Sequence, residues 1–235
     1  MKKVFVFLVF IILASVFVNA QTPKAPNITP TEIDDKSGVS FGFNAGYDYD
    51  FNAYKMSNDA NYTSIGSFYA INSHWNLGWD VGVMVTKRLR PRFEMKFVKM
   101  SYGFKWAPAY PSWTKTEVKL YNLDLNFRLD YLLVNSKKIQ IFASPALKTE
   151  FVSKSYYKMF KTDGSTEGFQ PSILQTEHPK SIAGAALAMI FKYNLNENLG
   201  LTFTPEYTDF FRDFQRGNGK PYERFSTNLG FEYNF

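Results

Sequence analysis

Period two is the feature that most restricts this chain. In VSFGFNAGYDYDF, Val39, Phe41, Phe43, Ala45, Tyr47, Tyr49 and Phe51 fall on one face of a strand, with Ser40, Gly42, Asn44, Gly46, Asp48 and Asp50 on the other. Trp75, Leu77, Trp79, Val81, Val83 and Val85 repeat the apolar face, as do Tyr121, Leu123, Leu125, Phe127, Leu129 and Tyr131. It returns near 182–193 and 199–211, and the chain closes on FSTNLGFEYNF in the same alternation. A helix would scatter these residues around its axis, so the pattern predicts strands and little else.

In 92–106 the phase slips: Phe93, Met95 and Phe97 lead, and Met100, Tyr102, Phe104 and Trp106 follow. One extra residue would restore the facing, which predicts a β-bulge near Phe97 and Val98. The segment from Ile139 to about Tyr157 fits the alternation least cleanly. The segments make about eight strands, joined alternately by short and long connections. KRLRP, NSKK and NLNEN are the short ones, and the stretches near 52–74, 107–115, 159–180 and 213–222 are the long ones. With both ends on the periplasmic side, an even strand number puts every short turn there and every long loop outside.

Period two does not say which face is the interior. A soluble lipocalin-like barrel would turn its apolar face inward. The apolar face here draws on 24 Phe, 15 Tyr and 4 Trp in 235 residues, too much volume for the narrow interior of an eight-stranded barrel. The opposite face is mostly Gly, Ser, Asn, Asp and Thr with some long charges, and it fits. The expected fold class is therefore all-β, an eight-stranded antiparallel up-and-down transmembrane β-barrel with its aromatics in lipid. Closure leaves no unpaired edge in hydrocarbon.

The start of the chain, MKKVFVFLVFIILASVFVNAQ, has two lysines, an apolar run and a small-residue site, which predicts a signal peptide over 1–20 cleaved after Ala20. Pro23, Pro26 and Pro30 mark 21–36 as a flexible periplasmic lead-in, and 37–235 is the expected barrel. No cysteine supplies a disulfide or a lipid anchor. Without Lys2 and Lys3 the formal charge of +6 falls to +4, and no basic run of five or six residues points to nucleic acid. On the last strand, Phe231, Tyr233 and Phe235 look like a C-terminal assembly signal read by the outer-membrane insertion machinery.

YNLDLNFRLDYLL, KKIQIFASPALKTEF, SIAGAALAMIFKYNLNENLGLTFTPEY and FSTNLGFEYNF together resemble the small outer-membrane β-barrel proteins often called PorT-like, akin in architecture to OmpX and the OmpA membrane domain. The resemblance implies a non-enzymatic envelope protein. Through its secretion-component branch, it also implies a place in an export or gliding assembly.

Glu94, Lys96, Asp124, Arg128, Asp130 and Glu206 sit on the expected inner face, where charges of both signs would have to pair. Such a network plugs the lumen; the alternative is a small pore or ion path, which conductance would reveal. Asp48, Asp50, Asn52 and Asp59 echo a calcium loop, but Ala53 stands where the turn wants Gly and no closing Glu follows, so no metal and no cofactor are expected. A lipid-modifying enzyme would need a histidine beside a nucleophile at the membrane edge. Only His74 and His178 exist, both in expected long loops and in no recognisable motif. Lys115, Lys154, Lys158, Lys161, Lys180, Arg216 and Lys220 lie in or near the long loops, facing either lipopolysaccharide phosphates or solvent. Those loops are also the natural site for a protein partner.

Overall fold

The computed structural model describes residues 38–50, 66–70, 74–108, 111–169, 181–211 and 222–235. Ten strands lie within them: β1 (Val39–Asp50), β2 (Gly66–Ala70), β3 (Trp75–Val83), β4 (Leu89–Trp106), β5 (Trp113–Asn135), β6 (Ile139–Lys161), β7 (Thr166–Phe169), β8 (Ser181–Asn194), β9 (Leu199–Phe210) and β10 (Tyr222–Asn234). Eight of them close a ring in the order β1, β3, β4, β5, β6, β8, β9, β10, every pairing antiparallel. The seam joins β1 to β10 from Ser40↔Asn234 to Asp50↔Arg224. The short β2 and β7 lie off the ring and extend β4 and β6. The expected signal peptide, its cleavage at Ala20 and the lead-in lie outside the described residues.

Three tight turns gather at one end of the ring, and each is closed by a side chain accepting backbone N–H groups. Thr86 Oγ1 accepts from Arg88 (3.2 Å) and Leu89 (3.0 Å), Ser136 Oγ from Ile139 (2.9 Å), and Asn196 Oδ1 from Asn198 (2.9 Å) and Leu199 (2.8 Å). The β1–β10 seam reaches the same end, where the Phe235 N–H donates to the Val39 carbonyl at 3.0 Å. Of the turn expected over KRLRP, the last three residues belong to β4 instead, because Thr86 caps the turn early and frees Leu89 to pair with Tyr131. That shift turns Arg90 into a strand residue facing inward beside Arg92, both buried.

The bulge expected near Phe97 and Val98 is absent. Register runs without a break from Leu89↔Tyr131 to Lys105↔Lys115, and β3 pairs with β4 equally evenly. The change of phase reflects a change in what the interior contains. Val98 and Met100 continue the inward row begun by Glu94 and Lys96, but they face a small apolar cluster with Leu120, Ile182 and Phe210. The irregularities lie one strand further on. Between β5 and β6 the register shifts at Trp113/Lys115, Tyr121/Asn122 and Leu132/Val134. At the second of these Ser153 is the unpaired residue, and its hydroxyl donates to the Tyr121 carbonyl at 2.6 Å. This bulge accounts for the weak alternation of the 139–157 segment.

Strands β4, β5 and β6 also run further than their sequence suggests. The last three residues of the stretch read as loop at 107–115 are the start of β5, and 159–161 and 166–169 belong to β6 and β7. Beyond the ring these strands continue as a five-stranded sheet in the order β2, β4, β5, β6, β7, at the end opposite the tight turns. Cross-strand pairs such as Thr116↔Met159, and the Trp106 Nε1 donation to Thr116 Oγ1 at 2.9 Å, hold that extension together.

Small inward residues make room for long ones. A Cβ added to Gly78 would stand 2.6 Å from Lys96 Cγ and 2.9 Å from the Met95 carbonyl oxygen, so a side chain there must displace both the lysine and the β4 backbone. Gly78→Val is expected to destabilise the barrel by about 1–3 kcal/mol in urea unfolding of the vesicle-inserted protein.

Candidate functional site

The barrel's polarity is reversed relative to a water-soluble fold. Phe97 and Leu229 are 57% and 67% exposed on the outer face, whereas Asp124, Arg128 and Asp130 are all 0% exposed within. An apolar belt in water would be a large aggregation surface, while hydrocarbon is its natural solvent. The chain is a transmembrane β-barrel. Barrels of this polarity, with short turns at one end, belong to outer membranes.

The lumen is filled by an ionic column. Among the described residues, seven cations (Arg90, Arg92, Lys96, Arg128, Lys148, Lys192, Arg224) and seven carboxylates (Asp80, Glu94, Asp124, Asp130, Glu150, Glu206, Glu232) are joined by buried ion pairs. Nearer the tight turns, Arg90 meets Asp130 at 2.9 Å and Glu232 at 2.7 Å, Lys192 reaches Glu232 at 2.5 Å, and Arg92 spans Asp80 (3.4 Å) and Asp130 (3.1 Å). Ser144 donates to Asp130 at 2.6 Å.

Further up, Arg128 bridges Glu94 (2.7 Å) and Glu206, and Lys148 bridges Glu206 (2.8 Å) and Asp124 (3.3 Å). Arg224 binds Asp124 (3.1 Å) and Glu150. Asn44 ties the two clusters together, donating to Asp80 at 3.4 Å and Glu94 at 3.2 Å. With Asn44 on β1, every ring strand contributes a side chain, and Arg224 to Asp124 spans the ring from β10 to β5.

Two apolar clusters flank the charged segments. Leu132, Phe142 and Ile190 cluster near the tight turns, with the Arg90 guanidinium 4.5 Å from the Phe142 ring centroid. The cluster of Val98, Met100, Leu120, Ile182 and Phe210 lies at the other end, where Arg224 stands 5.1 Å from the Phe210 centroid. Cation–ring contacts thus join each charged segment to a neighbouring apolar cluster.

The structure brings together all six inner-face residues singled out in the sequence: Glu94, Lys96, Asp124, Arg128, Asp130 and Glu206 are buried and ion-paired. Sequence reasoning missed Asp80, Arg90, Arg92, Lys148, Glu150, Lys192, Arg224 and Glu232. Continuing the inward phase from Glu94 back through Arg92 and Arg90 would have found two of them, and Glu232 lies on the polar face of the last strand.

Phe231, Tyr233 and Phe235 lie on the outer face, 55%, 43% and 58% exposed. His74 lies in the connection immediately before β3, as expected, but is buried, with its ring edge-on to Tyr47 at 6.5 Å. Asp48 points inward and accepts from Asn76 at 3.1 Å and from the Ser226 hydroxyl. His178, Asn52, Asp59, Lys180, Arg216 and Lys220 lie outside the described residues.

No protein family matches the chain, and no curated protein matches it in sequence. Solved structures with a similar fold include Ail, the attachment invasion locus protein of Yersinia pestis, at 10% identity over 85% of this chain and 98% of that one, with a TM-score of 0.42. Neisserial surface protein A is 13% identical over 85% of this chain and 98% of its own, with a TM-score of 0.45. OprG of Pseudomonas aeruginosa is 11% identical over 85% and 97%, with a TM-score of 0.39. The closed strand register, rather than these likenesses, carries the fold.

Proposed function

We propose that the chain is a non-conducting, non-enzymatic outer-membrane barrel that acts as a rigid platform for the strands and connections beyond its ring. The carrying observation is the lumen, occupied by buried, paired charges with an apolar cluster beside each charged segment. A pore needs a continuous aqueous path, and a column of buried, paired charges favours a filled interior over one. Reconstituted in planar bilayers, the full chain is expected to give no stepwise conductance; discrete steps would overturn this reading.

The platform role directs attention to the end opposite the tight turns. A protein partner bound there would make the barrel one component of a larger assembly, in keeping with the resemblance to the PorT-like barrels, one branch of which includes a secretion component. Affinity purification from native outer membranes in mild detergent is expected to bring a stoichiometric protein with it, and a barrel that always purifies alone would remove the assembly role. The rival lipid-modifying activity turns on His74 and His178. In a non-enzymatic barrel, His74→Ala with His178→Ala leaves the mass spectrum of the surrounding lipids unchanged, and a histidine-dependent mass shift would instead establish catalysis.

A further inference from the structure

The sheet beyond the ring has a basic outer face. Residues opposed across neighbouring strands share a face, so the register groups them in rows. Phe97, Leu123 and Phe151 form the last apolar row of the belt. The next row outward is Lys99, Tyr121 and Lys154, with Trp75 on β3 beside Lys99. Beyond it come Lys119 with Tyr156, then Glu117 with Lys158, then Lys105, Lys115 and Phe160. Chemistry therefore changes from hydrocarbon to lysine and aromatic hydroxyl within one repeat of the pleat, about 7 Å.

Six lysines stand in these rows against a single carboxylate among the described residues, Glu117, which Lys115 meets at 2.9 Å. Lys105, Lys119, Lys154 and Lys158 are exposed. Phe160 orders two of the ammonium groups, with Lys115 Nζ 4.1 Å and Lys158 Nζ 5.1 Å from its centroid, and Lys99 Nζ lies 6.0 Å from the Trp75 ring. Rings beneath the lysine heads hold several positive charges on one plane instead of letting them splay into water.

We infer that this face docks the phosphate groups of a phosphorylated glycolipid, lipopolysaccharide, in the leaflet around the barrel. Two observations select that occupant. The lysine rows continue directly from the lipid-facing belt, so whatever touches them is anchored beside Phe97 and Phe151. They also lie at the end opposite the tight turns, which is the external end of an outer-membrane barrel. Acyl chains lie on the belt while the phosphates one step higher meet Lys99, Lys119 and Lys154. The sheet extension then carries the contact into the sugar region through Lys105, Lys115 and Lys158. The inference rests on the outer-membrane reading above.

The test uses the full chain inserted in phosphatidylcholine vesicles, with fluorescent lipopolysaccharide in phosphorylated and enzymatically dephosphorylated forms as probes. Heat-modifiable gel mobility and protection from external protease confirm insertion first, and failure at that step would overturn the outer-membrane reading itself. Given insertion, the phosphorylated probe is expected to bind at least about tenfold more tightly than the dephosphorylated one. The combined variant Lys99→Gln, Lys119→Gln, Lys154→Gln, Lys158→Gln should abolish that preference. Lys87→Gln with Lys137→Gln and Lys138→Gln, at the tight turns, should leave it intact. Equal binding of the two probes, an unaltered preference in the four-lysine variant, or an equal loss in the turn variant would each overturn the inference. So would tighter binding of soluble heparin than of the glycolipid, which would make the face a glycan receptor.

Discussion

Arg128→Ala is expected to cost about 3–5 kcal/mol of unfolding free energy, the largest loss from any single truncation in the lumen. The guanidinium is fully buried between Glu94 and Glu206, and Asn126 adds a hydrogen bond to Glu94 at 2.8 Å. Removing it leaves two carboxylates facing each other across a narrow interior, with only Lys96 and Lys148 to compensate. The loss should exceed that of Lys115→Ala, whose ion pair with Glu117 is partly exposed and worth no more than about 1 kcal/mol. Neutralising the stranded acids, in Arg128→Met with Glu94→Gln and Glu206→Gln, should recover much of the stability, since a buried ion pair adds little over a well-packed neutral group. Urea titration of vesicle-inserted protein, followed by tryptophan fluorescence, measures all three. A loss below about 1 kcal/mol for Arg128→Ala would mean that the column is hydrated, and the non-conducting reading would fall with it.

Leu229→Arg supplies the second large effect. Leu229 lies in the middle of β10, outward, with Ala45 and Phe203 opposite it on the two neighbouring strands. In a soluble barrel a residue so exposed would tolerate arginine within a few tenths of a kcal/mol. In hydrocarbon the same change costs about 2–4 kcal/mol, falling to about 0–1 near the interface. Leu195, exposed in the tight turn between β8 and β9, is the depth control, and Leu195→Arg should be nearly neutral. Equal small effects at both positions would place the belt in water and remove the membrane assignment.

Much of this architecture was legible in the residues because period two and the inside-out polarity both follow from single strands. The Leu123 to Tyr131 run states its two faces without help from any partner. The features that sequence concealed depend on neighbours. Val98 and Met100 looked like a phase error because nothing local says that the inward row becomes apolar where it meets Ile182 and Phe210 from distant strands. Ser153 carried no bulge signal, since the extra residue is defined only against Tyr121 on β5. Arg90 was hidden for a different reason: the capping oxygen of Thr86 decides where the turn stops, and the string KRLRP reads as turn throughout. In the lumen, identity of partner was unreadable even where inward facing was clear. Arg128 selects Glu206 on β9, a choice that exists only once the ring has set which strands oppose each other.

The seam has a consequence for kinetics. β1 and β10 hold each other in eleven opposed pairs, from Ser40↔Asn234 to Asp50↔Arg224, yet they belong to nearly opposite ends of the sequence. Closure therefore depends on contacts of the longest range available to this chain, and such contacts form late and slowly. Until they form, two raw edges need protection from hydrocarbon; once they form, no strand can peel away alone. Escape from the membrane must begin by opening that seam while the cross-lumen pairs of Arg224 still grip Asp124 and Glu150. The barrel should accordingly persist for a time set by the height of its unfolding barrier, well beyond what its equilibrium stability alone would suggest.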